Sequence, residues 1–144
     1  MKKNIAIFSF IIILVVFGCK KDNPKNGDLL NIKWTLSYIQ DTKTNEIKHY
    51  PGDESNKISI VFTDSSGVIR FSGVCNGGAG TFTYSPVAGE IKVTGLMSTE
   101  IYCKYIEWET YTAQNLEDAS SYKISGNDLV IYSNGEYNLY FTKE

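Results

Sequence analysis

Histidine is almost absent from this chain, and its scarcity excludes several kinds of catalytic site. His49 is the only histidine, and no serine or cysteine lies in the strand-to-helix elbow that activates a nucleophile in triad hydrolases. Glu107 and Glu109 are two positions apart on a predicted helix, so they do not face one another as the paired carboxylates of a glycosidase do. We therefore expect a protein that is not an enzyme, with no catalytic residues, no metal and no cofactor, and we expect His49 to lie in a loop.

An excess of positive charge is also missing. The chain has 14 lysines and arginines against 16 acidic residues, and its formal net charge is −2. Proteins that bind nucleic acids carry clustered positive charge that neutralises phosphates. We expect no nucleic-acid partner.

Long apolar runs are missing except at the N-terminus. Two lysines precede an uncharged apolar run over residues 5–17, and Val16-Phe17-Gly18-Cys19 follows the pattern of a bacterial lipobox. At about thirteen residues the run is too short to span a bilayer, so it is typical of a secretory signal peptide. We predict cleavage after residue 18 and acylation of Cys19, which would anchor the protein to the outer membrane, on its periplasmic face or at the cell surface. A signal anchor with an incidental cysteine is the alternative.

The remaining chain divides into a linker and one domain. Residues 19–29 are mostly polar, contain Pro24 and Gly27, and are predicted to form a flexible tether. The chain left after the predicted cleavage, residues 19–144, is long enough for one domain with a hydrophobic core and too short for two. We place this domain at residues 30–144. We expect a monomer with one domain on a lipid tether.

Apolar residues at alternate positions predict a mainly β domain. In the segment 58–62, for example, Ile58, Ile60 and Phe62 fall on one face, as period-two strands require. The closing part of the chain is predicted to form a meander of three strands. The predicted strand segments are 34–38, 58–62, 68–73, 81–84, 91–93, 122–124, 129–132 and 137–141.

Three glycine-containing segments are predicted to be turns. Residues 64–67 separate two strands of a hairpin, and Asn134-Gly135 favours a type I′ hairpin turn. Gly77-Gly78-Ala79-Gly80 lacks the Gly-Lys-Ser/Thr ending of a phosphate loop and precedes a strand. It is therefore predicted to be a flexible turn.

One segment, Tyr105 to Ala119, has helical periodicity. Its large or apolar residues recur at spacings of three and four, which predicts a helix that packs on the sheet. The apolar side is Tyr105, Trp108, Tyr111, Thr112, Leu116 and Ala119, and the opposite side holds Glu107, Glu109, Gln114, Glu117 and Asp118.

Cys75 and Cys103 remain after Cys19 is assigned to lipidation. An even pair of cysteines in an oxidising compartment predicts a disulfide. A reactive thiol pair or a pair of metal ligands is the alternative, although neither cysteine lies in a Cys-x-x-Cys motif.

An ordered set of motifs resembles the META domain of HslJ-like bacterial proteins. The set comprises Trp34-Thr35-Leu36, Ile60-Val61-Phe62, Cys75-Asn76, Gly80-Thr81-Phe82, Thr99-Glu100-Ile101-Tyr102-Cys103, Tyr122-Lys123-Ile124 and Leu129-Val130-Ile131. The resemblance spans about residues 29–142 and implies a small antiparallel sheet curled into a partly open barrel with one helix packed across it. It implies no catalytic residues, and it implies an association with heat shock, novobiocin tolerance, secretion or motility. Val74 departs from the family's Gly-Cys-Asn pattern and places a bulge or an altered turn after Gly73.

Two functions are consistent with these features. The first is an envelope interaction module that binds a protein or a cell-wall component through a sheet face or edge, and its ten tyrosines suit a recognition surface. An inhibitor of a cell-wall hydrolase belongs to this class. The second is a carrier of a small apolar ligand inside the barrel.

Overall fold

The computed structural model describes residues 28–64 and 66–144. The predicted signal peptide, the lipobox, Cys19 and most of the tether lie outside them. Over the described residues the chain forms nine strands and one helix. They are β1 (Lys33–Asp41), β2 (Ile47–His49), β3 (Ser59–Thr63), β4 (Val68–Ser72), β5 (Gly77–Ser85), β6 (Glu90–Ser98), α1 (Ile106–Glu117), β7 (Ala119–Ser125), β8 (Asp128–Ser133) and β9 (Tyr137–Lys143).

Eight of the strands form a closed antiparallel barrel. Neighbours in the chain pair from β3 through β9, β9 returns to β1, and β1 pairs with β3. Strand β2 is the extra strand, and it pairs with β1 beyond the end of β3. The predicted mainly β architecture with one helix is confirmed, and the ring is closed where the resemblance implies a partly open barrel.

Alternation along the strands builds the core. Ile60 and Phe62 of β3 and Ile69 of β4 are fully buried, because successive side chains point to opposite faces. All eight strands of the ring contribute buried apolar side chains to one cluster, and the Phe62 and Phe82 rings meet edge to face with centroids 4.9 Å apart. These side chains occupy the interior in which the alternative function would place an apolar ligand.

The shortest strand pairing in the barrel is between β6 and β7. These strands are paired only at Glu90 and Ser121. Further along β6, Gly95 and Leu96 lie opposite the single residue Gly80, and Gly95 has a φ of 62°. This β-bulge bends the second half of β6 away from its neighbour.

Helix α1 packs on β6, β8 and β9. Thr112 and Leu116 are fully buried, as the periodicity predicts. Ala119, which the same pattern assigns to the helix, begins β7 instead. With twelve residues, α1 is too short to cross a membrane, and it is the only helix in the described part of the chain.

Two loop predictions are wrong because tertiary contacts place those residues in strands. Gly77 to Gly80 begin β5, where a Cβ on Gly78 would lie 2.5 Å from the Met97 carbonyl oxygen. Glycine, which has no Cβ, therefore allows the two strands to lie close together here. His49 ends β2, opposite Tyr38 of β1, and their rings lie 5.5 Å apart.

The predicted type I′ turn at Asn134-Gly135 is also wrong. Neither residue has a positive φ, and the loop instead packs under the end of α1. A Cβ on Gly135 would lie 2.6 Å from Asn115 Oδ1 and 2.7 Å from Asp118 Oδ2. Glycine here allows close approach to the side chains of the helix end and does not serve hairpin twist.

The folded domain includes a residue that the sequence analysis assigns to the tether. Leu29 is only 2% exposed, and its carbonyl accepts a hydrogen bond from Trp34 Nε1. Asn31 then donates its backbone N–H to the Phe62 carbonyl. The domain therefore begins before residue 30.

Glu144 ties the end of β9 to the beginning of β1, and we expect this tie to be sensitive to acid. Hydrogen bonds from Lys33, Lys57 and Thr35 lower the pKa of its side chain from 4.5 to about 2. A lowered pKa stabilises the fold above about pH 4.5, and the stabilisation is lost as the pH falls through about 2. As the pH falls between these values, the free energy of unfolding of the wild type should decrease more steeply than that of Glu144→Gln, measured by urea unfolding at a series of pH values. Glu136→Gln is the control and should follow the wild type. Equal dependence of the unfolding free energy on pH in the wild type and Glu144→Gln would contradict this prediction.

Candidate functional site

Cys75 and Cys103 are joined by a disulfide, in agreement with the predicted pairing. Cys75 lies in the turn Gly73 to Asn76 between β4 and β5, where the Gly73 N–H donates to the Asn76 carbonyl. This is the altered turn that the extra residue Val74 predicts. The two sulfurs and a Glu109 oxygen lie within 4.8 Å of one another, but sulfurs bonded to each other are not available as thiolate ligands for a metal. The disulfide holds this turn against the segment that leads into α1.

Glu109 lies behind the disulfide and is 3% exposed. Its Oε1 accepts a hydrogen bond from the Cys75 N–H at 2.9 Å, and its Oε2 accepts one from Asn76 Nδ2 at 2.7 Å. A Cβ on Gly73 would lie 2.5 Å from Glu109 Cδ, so glycine is required at this close approach. The prediction that Glu109 lies on the exposed side of the helix is wrong. The carboxylate fixes α1 to the turn.

Asn76 uses the whole hydrogen-bonding capacity of its amide. Its Oδ1 accepts from Thr99 Oγ1 at 2.9 Å and from the Ile101 N–H at 2.7 Å. Its Nδ2 donates to the Ile101 carbonyl at 2.9 Å, as well as to Glu109. The 4% exposed Asn76 side chain therefore pairs with Ile101 as a neighbouring strand would. These hydrogen bonds join the Cys75-Asn76 pair to Thr99, two of the motifs on which the resemblance rests.

The chemistry of this cluster is that of a structural support. Both Glu109 oxygens and both polar atoms of the Asn76 amide already have partners. Buried polar groups that are fully paired fix backbone geometry and resist rearrangement. The cluster thus holds residues 99–101 in one conformation.

Three apolar side chains next to this support are exposed to solvent. Met97, Ile101 and Tyr102 are 78%, 58% and 89% exposed. Tyr102 is the most exposed of the ten tyrosines, whereas Tyr122 and Tyr137 belong to the core. The tyrosine content predicts a recognition surface, and Tyr102 is the main tyrosine exposed enough to contribute to one.

The segment Ser98–Tyr102, hereafter the edge segment, forms one wall of a cleft of about 380 Å³. The opposite wall is α1, and we refer to the cleft as the α1 groove. Its lining includes two acidic residues, Glu100 and Glu109, and no lysine or arginine. The helix contributes Ile106, Glu109, Thr110, Ala113 and Gln114, and Phe71 and Asn76 complete the lining.

Tyr50 supports the other flank of α1. Its ring meets Trp108 edge to face at 5.4 Å, and its hydroxyl donates to the Asn56 carbonyl at 2.5 Å. Burial, together with nearby Tyr105 and Glu109, raises the pKa of Tyr50 to about 12. Its hydrogen bond to Asn56 fixes the ring against Trp108, and the helix is held from both sides.

Solved structures with low sequence identity share this fold. A protein from Burkholderia xenovorans has 15% identity and a TM-score of 0.67, over 81% of this chain and 83% of that one. A DUF4847 family protein from Bacteroides vulgatus has 15% identity and a TM-score of 0.59, over 79% and 93% of the two chains. At these identities the similarity establishes the fold alone.

Family membership follows from the sequence as a whole. No curated protein matches the chain. The family model of the META domain matches residues 27–144, which include the turn, the edge segment and α1. The chain therefore belongs to the META domain family.

Proposed function

We propose that this protein is a non-enzymatic interaction module of the bacterial envelope, anchored by a lipid on Cys19, which binds a partner protein through the edge segment and the α1 groove. The observation that carries the proposal is the exposure of Ile101 and Tyr102 on a backbone that is fixed from behind. From the family resemblance, we propose that this interaction takes place in the response to heat shock or in drug tolerance.

Rigid presentation of apolar side chains favours recognition. Exposed apolar groups gain free energy when a partner covers them, and a preorganised backbone lowers the entropy lost on binding. The Ile101 N–H and carbonyl are both held by Asn76, and Cys103 is held by the disulfide. A large aromatic such as Tyr102, at the rim of a groove, is the type of residue that contributes strongly to binding.

The orientation of the domain also supports the proposal. The described chain enters where Leu29 to Ile32 share a cleft with Tyr84 and Pro86, at the end of β5. The α1 groove lies beyond the beginning of β5, at Gly77. A nine-residue strand spans roughly 30 Å, so the groove lies at the end of the barrel opposite the N-terminal side, where an anchoring lipid on Cys19 would not cover it.

Inhibition of a cell-wall hydrolase is one form of the proposed function. An inhibitor presents a conformationally fixed segment that enters the cleft of its target. The edge segment has this character, because its exposed side chains are carried by a backbone held at Thr99, Ile101 and Cys103. Hydrolases among the captured proteins would identify this form.

The test is capture of partners from crosslinked envelopes by tagged full-length protein. We expect Ile101→Ser/Tyr102→Ser to lose at least about tenfold of a captured partner, since interface hot spots exceed about 1.4 kcal/mol. Val87→Ser is the matched control, because Val87 is 81% exposed at the opposite end of β5. Equal recovery by all three proteins, or recovery no greater than by an unrelated lipoprotein, would refute the proposal. Cys19→Ser should leave the membrane fraction if the anchor is correct.

A further inference from the structure

The backbone of the edge segment has one side paired and one side free. The Thr99 N–H donates to the Gly77 carbonyl, and the Ile101 N–H and carbonyl pair with the Asn76 side chain. Backbone groups of successive residues in an extended chain point to opposite sides. Thr99 and Ile101 pair on the same side, as alternate residues of an extended chain do, so the backbone groups of Glu100 and Tyr102 point away from β5.

Leu96 supports this direction. Its N–H lies on the same outer side of β6, and it donates to Glu117 Oε1 of α1 at 3.0 Å. The helix therefore caps the outer edge at Leu96. Within residues 28–64 and 66–144, no hydrogen bond involves the backbone groups of Glu100 or Tyr102, so the edge is free beyond the cap.

The free edge exists because two features end the pairing of β6 with β7. These strands are paired only at Glu90 and Ser121, and the bulge at Gly95 then bends β6 away. An unpaired strand edge is a template for an added strand. A helical ligand cannot use it, because the backbone groups of a helix are bonded internally.

Charge defines the ligand further. Glu100 and Glu109 line the groove with no basic residue beside them, which favours a lysine or arginine on the bound segment. Ile106, Ala113 and Phe71 offer apolar contact to a neighbouring side chain. A second copy of this chain is disfavoured, because antiparallel pairing of two edges about Glu100 would bring two carboxylates together.

We infer that the α1 groove binds an extended segment of a partner protein that adds as a strand to Glu100–Tyr102 and carries a lysine or arginine next to Glu100. This inference rests on the proposed function. It goes beyond the proposed function because it specifies the conformation and the charge of the bound segment. In this mode, main-chain hydrogen bonds supply affinity and alternate side chains supply specificity.

The test uses random 12-residue peptides displayed on phage and selected on the full-length protein in detergent micelles. A selected peptide is then synthesised with each backbone nitrogen methylated in turn, and each version is titrated against the protein. Methylation should weaken binding by about fivefold or more at alternate positions and little at the positions between, since one lost hydrogen bond corresponds to about 1 kcal/mol. Glu100→Gln should weaken a lysine-containing peptide by about two- to fivefold, and should not weaken the same peptide with norleucine in place of lysine.

Each outcome decides the inference. Alternating sensitivity together with the Glu100 effect supports strand addition. Peptides that require Ile101 and Tyr102 but are insensitive to methylation, or that select no basic residue, overturn it and leave the interaction module standing. The inference is also overturned if every selected peptide binds the Ile101→Ser/Tyr102→Ser variant as tightly as it binds the wild type. In that case the envelope capture decides separately whether the groove binds a folded partner.

Discussion

Replacing Glu109 with alanine is expected to lower the free energy of unfolding by about 2 to 5 kcal/mol. The change leaves the Cys75 N–H without an acceptor and leaves Asn76 Nδ2 with only the Ile101 carbonyl, so that one of its two N–H groups is unpaired. Each buried unpaired donor costs about 1 to 3 kcal/mol. The space left by a 3% exposed side chain adds a cavity cost. Urea unfolding followed by tryptophan fluorescence measures the loss.

Two further variants make the Glu109 result specific. Glu107→Ala changes an exposed carboxylate on the same helix and should alter the unfolding free energy by less than about 0.5 kcal/mol. Glu109→Gln keeps one acceptor but turns an amide donor toward either Cys75 or Asn76, so its loss should fall between the other two. Equal effects of Glu107→Ala and Glu109→Ala would show that the buried carboxylate does not hold the turn.

Removing the disulfide is the second large effect that we expect. Cys75 and Cys103 are 28 positions apart, and closing a loop of this size stabilises a fold by about 3 to 4 kcal/mol on the chain-entropy account. Cys75→Ser/Cys103→Ser should therefore shift the urea midpoint to a much lower concentration. Dithiothreitol should shift the wild type by a similar amount and leave the double variant unchanged.

Cys19→Ser provides the control for the disulfide. It removes the third cysteine of the chain while leaving the Cys75–Cys103 pair intact. Its unfolding should remain sensitive to dithiothreitol. A wild-type midpoint that does not respond to reductant, under conditions where mass spectrometry confirms reduction, would contradict the predicted contribution of the bond.

The sequence predicts the strands well because their pattern is local. Ile58, Ile60 and Phe62 alternate and are all fully buried. Two-residue periodicity requires no knowledge of what each strand packs against. The closing of the barrel is different, because the pairing of β1 with β9 joins residues about a hundred positions apart and no local pattern specifies it.

The sequence predicts the candidate site only in part. Cys75, Asn76 and Thr99 belong to the family motifs, but the helical pattern places Glu109 with the charged residues of the opposite side. Its spacing of three and seven from Thr112 and Leu116 places all three on one helical face, and this spacing is the signal for its burial. Burial of the carboxylate depends on donors from the turn, which only the fold brings to it.

The exposure of Tyr102 has no local signal in the sequence. Tyr102 resembles the other tyrosines in the sequence, yet it is 89% exposed while Tyr122 is 3% exposed. The difference arises because β6 bends away from β7 after the bulge and continues along the turn at Asn76. Neither event can be read from the residues around Tyr102.

Site-specific photocrosslinking in intact cells tests the interaction surface most directly. A benzoylphenylalanine residue would replace Tyr102 in one protein and Val87 in another, since both positions are exposed and lie at opposite ends of β5. We predict a discrete crosslinked partner from position 102 that is absent at position 87 and is lost when Ile101→Ser is added. Identical products from both positions, or products at position 87 alone, would contradict the assignment of the α1 groove as the binding site.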